Sequence, residues 1–185
     1  MDEQNNIRQF LQGDADALCA LVDAYRKPLY SFILHLTNGR DDTDEIFQEV
    51  WIKAIRALPR YQHRQRFASW LFKIAHRIII DRFRKAKPLF SFDTISDTLD
   101  QPDTADQYTP LQHLADNELG AEIATAVAAL PIEQREVFLL RMESDLSFKE
   151  IARIQHTSIN TALARMAYAR DKLRQHLEPI YKEIR

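Results

Sequence analysis

Glycine, proline and cysteine are scarce in this 185-residue chain, with three Gly, seven Pro and one Cys. So few glycines leave little material for tight hairpins or for loops that cradle phosphates. The lone Cys19 can neither close an internal disulfide nor build a thiolate metal site, and a reducing cytoplasm is the expected setting. Its neighbours Leu18, Leu21 and Val22 suggest small-core packing. No signal-peptide run opens the chain, and no stretch approaches the ~20 apolar residues of a membrane span, so no membrane insertion is expected. No Gly-x-Ser-x-Gly elbow, no zinc pair of His flanking a Glu and no Glu-x-x-His ligand pattern occurs. Neither catalysis, nor a metal, nor another cofactor is therefore expected.

Helix-forming Ala, Leu, Ile, Arg, Glu and Gln fill the space, and the predicted fold class is all-α. The net charge is only −2, but it is unevenly placed. Residues 1–88 carry 15 Lys/Arg against 11 Asp/Glu, and residues 121–185 carry ten against nine. Residues 89–120 carry seven acids and no base. Two helical blocks joined by an acidic one point to charged partners.

Apolar residues recur at helical spacing over 7–36, and Asn38-Gly39 then marks a turn. In "DDTDEIFQEVWIKAIRALP", Asp42 and Glu45 predict a capping box, Phe47 to Leu58 supply an apolar stripe, and Pro59 ends the helix. Asp44, Glu45, Gln48 and Glu49 are left on the exposed side, as a solvated helix start or as a docking surface for a basic partner. "RYQHRQR" reads as a basic loop before the helix "FASWLFKIAHRIIIDRFRK". Nine bases and one acid, Asp81, lie between Arg60 and Lys87, interleaved with Phe67, Trp70, Phe72 and Phe83. Rings beside positive charges suit single-stranded nucleic acid, and equally the rings could be core. From Pro88 to Pro110 periodicity vanishes, which predicts a linker able to reach roughly 75–80 Å if extended.

Near the end, Ser147 with Glu150 predicts a capped short helix, His156-Thr157 a turn, and Ser158 the cap of a long helix to about Leu177. Ile159, Ala162, Met166, Ala169 and Leu173 are expected inward, and Thr161, Ala164, Arg165 and Tyr168 outward. Short helix, turn and longer helix make a helical hairpin or a helix-turn-helix, and the small Ala152 and Ala162 favour the latter. Arg165, Arg170, Lys172 and Arg174 are within reach of phosphates.

Four stretches, "DEIFQEVWIKAIRAL", "FASWLFKIAHRIIIDRFRK", "ALPIEQREVFLLRMESDLSFKEIA" and "TSINTALARMAYARDKLR", resemble in order and spacing the bacterial sigma factors of the extracytoplasmic-function group. The resemblance implies three parts: a region 2-like domain over 1–87, an acidic linker over 88–112 and a region 4-like helix-turn-helix domain over 113–185. Asp44, Glu45, Gln48 and Glu49 would dock on core RNA polymerase. Arg60, Arg66, Phe67, Trp70, Lys73, Arg77, Arg84 and Lys85 would hold the melted single strand of the minus-ten promoter element, with Asp81 orienting a neighbouring Arg. Ser158, Thr161, Ala164, Arg165, Tyr168, Arg170 and Lys172 would read the double-stranded minus-thirty-five element. An anti-sigma partner is implied as well.

Departures from the family pattern are specific. His76 and Arg77 stand where Asn is common, and His156 replaces the Gly of the turn, removing the cheapest residue for a positive φ. Leu163 replaces Lys, Ala164 replaces Ser, and Tyr168 stands where Arg is frequent. So few positive charges fit a subunit that a polymerase tethers to DNA. A stand-alone helix-turn-helix regulator and a sigma-like interaction protein are the alternative readings.

Overall fold

A computed structural model describes residues 3–39, 42–62, 66–86 and 118–183. The expected linker over 88–112 and the loop residues His63, Arg64 and Gln65 lie outside the described residues. Among those described, every regular element is helical.

In the first half, α1 (Glu3–Leu11) and α2 (Ala15–Leu36) divide one apolar run where Gly13 takes φ 101°. Asp14 then caps α2 by accepting from the amides of Asp16 and Ala17 at 3.0 and 3.4 Å. The predicted turn follows, with Asn38 and Gly39 at φ 57° and 67°. The expected capping box of α3 (Thr43–Ala57) does not form. The carboxylates of Asp42 and Glu45 turn instead to Arg82 of α4 (Phe67–Ala86), a charge-assisted pairing that wins over local capping. Pro59 ends α3 through a 3-10 turn, Leu58–Arg60.

The second half holds α5 (Glu118–Ala128), α6 (Ile132–Ser144), α7 (Phe148–Ile154) and α8 (Ile159–Glu183). Pro131 stands at the N-cap of α6, whose first helical residue is Ile132. Helix α8 continues beyond Leu177 with Pro179 inside it.

The halves pack together. Helix α2 lies against α1, α3 and α4 of its own half and against α5 and α6 of the other, while α4 touches α7. Leu21, Phe32 and Phe72 join Val137, Leu139 and Leu140 in one continuous core. Apolar burial of this kind contributes ~1.5–3 kcal/mol per large side chain.

Helix α6 also brings charge into that packing, because Arg135, Glu136 and Glu143 are only 8, 3 and 9 % exposed. Arg135 donates to the Asn38 side chain and to the carbonyls of Ala128 and Leu130. Ser31 Oγ of α2 donates to Glu143 Oε1 at 2.8 Å, and the second Glu143 oxygen has no partner among the described residues. Burial pushes the Glu143 carboxyl above its ordinary range, and the Ser31 bond only partly opposes it. Nearby His35 is brought down to about 4, first by burial and then by the Arg135 charge, so it stays neutral.

Candidate nucleic-acid interface

Local chemistry builds the helix-turn-helix. Ser147 and Glu150 form the predicted capping box: the Glu150 amide donates to Ser147 Oγ at 3.4 Å, and the Ser147 amide donates to Glu150 Oε2 at 2.9 Å. His156 adopts φ 53° despite its side chain, and the Thr157 amide reaches the Ala152 carbonyl at 2.9 Å. A left-handed non-glycine residue costs about 1–2 kcal/mol, so the surrounding packing holds this turn. Ser158 Oγ accepts from the Thr161 amide at 3.0 Å and caps α8.

Ala152 and Ala162, 3 and 0 % exposed, let α7 and α8 approach closely, and Ala169 and Leu173 continue the seam. Ile159 breaks the expected pattern, being 44 % exposed. As the first residue of α8, it stands at the edge of the seam and not within it. Ser158, Ala164, Tyr168, Arg170 and Lys172 are exposed as expected, and Thr161 and Arg165 are half-buried. Leu163 is 45 % exposed.

Arg165 is already engaged. Its Nη1 donates to Gln155 Oε1 at 2.8 Å, and Gln155 Nε2 donates to Glu136 Oε2 at 2.7 Å. The other Glu136 oxygen lies 2.5 Å from His76 Nδ1 of α4. A polar chain thus ties Arg165, which the resemblance assigns to the minus-thirty-five element, to the helix that it assigns to the melted strand. Glu136, Gln155 and His76 drew no role from sequence reasoning, because their partners lie 19 and 60 residues away along the chain.

The basic helix needs one correction. Phe67 is 0 % exposed, so it cannot stack on a base. It is the hub of an aromatic cluster, with ring centroids 5.3 Å from Tyr25, 5.8 Å from Tyr61 and 5.4 Å from Trp70. Tyr61 and Trp70, 4.8 Å apart and both half-buried, form its outer rim. Tyr61 was the overlooked ring, although it sits inside the basic loop "RYQHRQR". Phe72 is core and Phe83 half-buried. Arg60, Arg66, Arg77, Arg84 and Lys85 are exposed and Lys73 is half-buried. Arg66 Nη1 donates to the Asp145 carbonyl of the other half at 3.1 Å.

Asp81 is exposed, and the arginine that carboxylates orient is Arg82. Arg82 donates to Asp42, Glu45 and Glu49 at 3.2, 3.0 and 2.9 Å. Those bonds hold its guanidinium well above its usual pKa, and Lys53 and then Arg82 hold Glu49 below its own. Tyr30 donates to Asp44 Oδ1 at 3.0 Å. Asp44, Glu45 and Gln48 remain exposed and Glu49 is half-buried, so the face stays acidic while Arg82 pins α3 to α4. Among the described residues no group of His, Cys, Asp or Glu is placed to hold a metal ion, and no helix is long and apolar enough to cross a membrane.

Two family models match in order: sigma-70 region 2 over residues 21–88 and sigma-70 region 4 over residues 120–173. The chain belongs to the sigma-70 family, in its extracytoplasmic-function group. It is 29 % identical over 182 residues to the sigma factor SigW of Bacillus subtilis, covering 96 % of this chain and 97 % of SigW. Identity to SigX of the same organism is 28 % over 171 residues, covering 89 % of this chain and 85 % of SigX. In fold it resembles CnrH in complex with the cytosolic domain of CnrY, with TM-score 0.68, 21 % identity and coverage of 96 % and 97 % of the two chains. It also resembles RpoE of Bartonella quintana in complex with the anti-sigma factor NepR, with TM-score 0.65, 19 % identity and coverage of 87 % and 96 %. As a sigma factor the chain is a transcription initiation factor, not an enzyme, and its partners are core RNA polymerase and promoter DNA.

Proposed function

We propose the following division of labour for this sigma factor in the cytoplasm. The module over 1–87 docks on core polymerase through Asp44, Glu45, Gln48 and Glu49, on a face that Arg82 keeps in register with α4. Lys73, Arg77 and Arg84 share one side of α4, with Lys85 at its edge, and track the melted minus-ten strand, with Arg60 and Arg66 at its start. A base stacks on the Tyr61–Trp70 rim, which replaces Phe67 in that role, and stacking contributes ~1–3 kcal/mol. The module over 113–185 places α8 in the major groove of the minus-thirty-five element, with Ser158, Thr161, Arg170 and Lys172 on the backbone.

Both elements can be read at once only if the halves separate. Promoter elements some 25 base pairs apart are roughly 85 Å apart at ~3.4 Å per pair. A compact chain of this size is only about 40 Å across. The packed form is therefore the state off the promoter, and the segment over 88–112 spans the gap when it opens. An anti-sigma protein that holds the packed form is the expected regulator, in keeping with the partners named for the similar structures.

The observation that carries this reading is the pairing, on one chain, of a doubly capped helix-turn-helix with a basic helix beside a half-exposed aromatic rim. The test is reconstitution with core polymerase followed by transcript mapping. Transcripts should start at discrete promoters, and Arg84→Ala with Lys85→Ala should reduce open complexes at least several-fold. Site-specific binding to duplex DNA without polymerase, and no effect of core, would refute it.

A further inference from the structure

The first two turns of α8 expose Ile159, Asn160, Leu163 and Ala164, directly after the exposed cap Ser158, and none of these side chains is charged. Ile159 and Leu163, 44 and 45 % exposed, lie one turn apart on the same face. Two aliphatic side chains left in water at the leading end of a recognition helix gain free energy only against an apolar surface. In the major groove the base edges offer a single apolar group, the C5 methyl of thymine; guanine edges are read by Arg or Lys. The nearest arginine, Arg165, is half-buried and held by Gln155. Ala164, beside Leu163, is small enough to let the backbone approach the groove.

We propose that Leu163, flanked by Ile159, is a specificity-determining residue that reads a thymine methyl in the minus-thirty-five element. The apolar pair adjoins the exposed cap Ser158 and shares its helix face with the exposed Arg170 two turns on, which places it against base edges once those two groups hold phosphates. The proposal rests on α8 being the recognition helix of this sigma factor. It makes A·T pairs, and thymine on the strand facing Leu163, the basis of promoter choice at that position.

Replacing thymine by deoxyuridine removes the methyl and nothing else. Promoters are selected from a random-sequence library by the reconstituted holoenzyme, and each minus-thirty-five thymine is then replaced singly by deoxyuridine in run-off transcription. At one or two positions the wild-type signal should fall about four-fold, the effect of one buried methyl. In the Leu163→Ala holoenzyme the thymine and deoxyuridine templates should be equal there, with an unchanged melting temperature confirming an intact domain. Equal loss in both proteins, no loss in the wild type, or a selected element lacking thymine overturns the proposal. Failure of the wild type to start any promoter-directed transcript would instead overturn the sigma assignment beneath it. Retained thymine discrimination in a Leu163→Ala variant that no longer binds an anti-sigma protein would reassign the apolar pair to a protein partner.

Discussion

Helices α6 and α8 break the usual rule of burial in opposite directions. Helix α6 buries Arg135, Glu136 and Glu143, whereas α8 leaves Ile159, Leu163 and Tyr168 exposed. Permanent cores seldom keep three charges, since replacing a buried ionic group with apolar side chains is often neutral or stabilising. Free surfaces have no need of a clustered aliphatic pair. Both inversions make sense if each surface spends part of its life in the other environment: α6 is wetted when the halves part, and α8 is dried when it enters a groove.

The largest effect should come from breaking the polar chain. Glu136→Ala strands the donors of His76 and Gln155 inside the interface, and should weaken packing of the halves by about 3 kcal/mol. Faster amide exchange in α4 and α7 would report it. If packing survives, the chain is ornamental.

Acid should act on nearly the same scale. His35 is neutral in the packed form, with a pKa of about 4 against 6.5 when free. Below pH 6.5 the free side chain takes a proton that the packed one refuses. Stability should therefore be fully present above pH 6.5 and fall by about 3 kcal/mol as pH drops toward 4. Urea titrations between those limits would show it, and His35→Gln should flatten the dependence.

Glu143 works in the reverse sense. Its raised carboxyl favours packing while protonated, and that contribution is lost as pH rises through its packed-state value. Glu143→Gln keeps an acceptor for Ser31 without the charge and should tighten packing by about 1 kcal/mol at neutral pH. Midpoint shifts in urea would measure it.

The smallest stability effect belongs to α8. Leu163→Lys should change unfolding by no more than about 0.5 kcal/mol, because the site faces solvent. On DNA, however, it should steepen the logarithmic salt dependence of promoter binding by about 0.9, the contribution of one added phosphate contact. A fluorescence-anisotropy salt series separates the two readouts.

Features governed by neighbours in sequence were legible. Ser147 with Glu150, the Asn38-Gly39 turn and the burial of Ala152 and Ala162 follow from local spacing, and the four family-like stretches followed in order. Features governed by distant partners were not. Asp42 and Glu45 have the spacing of a capping box, yet Arg82 lies 40 and 37 residues away and claims both. Phe67 alternates with basic residues as a base-stacking ring would, and only the positions of Tyr25 and Tyr61 enclose it. Glu143 reads as a solvated helix residue until Ser31, 112 residues earlier, is seen against it. Ile159 keeps helical period with Ala162 but sits at the helix end, where period no longer implies burial.

The most direct test is a distance between the halves, read by fluorescence transfer between dyes at Asp23→Cys in α2 and Asp171→Cys in α8, both exposed sites, with Cys19, which is exposed on α2 and not in the core as its neighbours suggested, changed to Ser. On forming the polymerase–promoter complex the dyes should separate by on the order of 40 Å, the difference between a packed chain and the promoter span. An unchanged distance in a transcriptionally active complex would contradict the account.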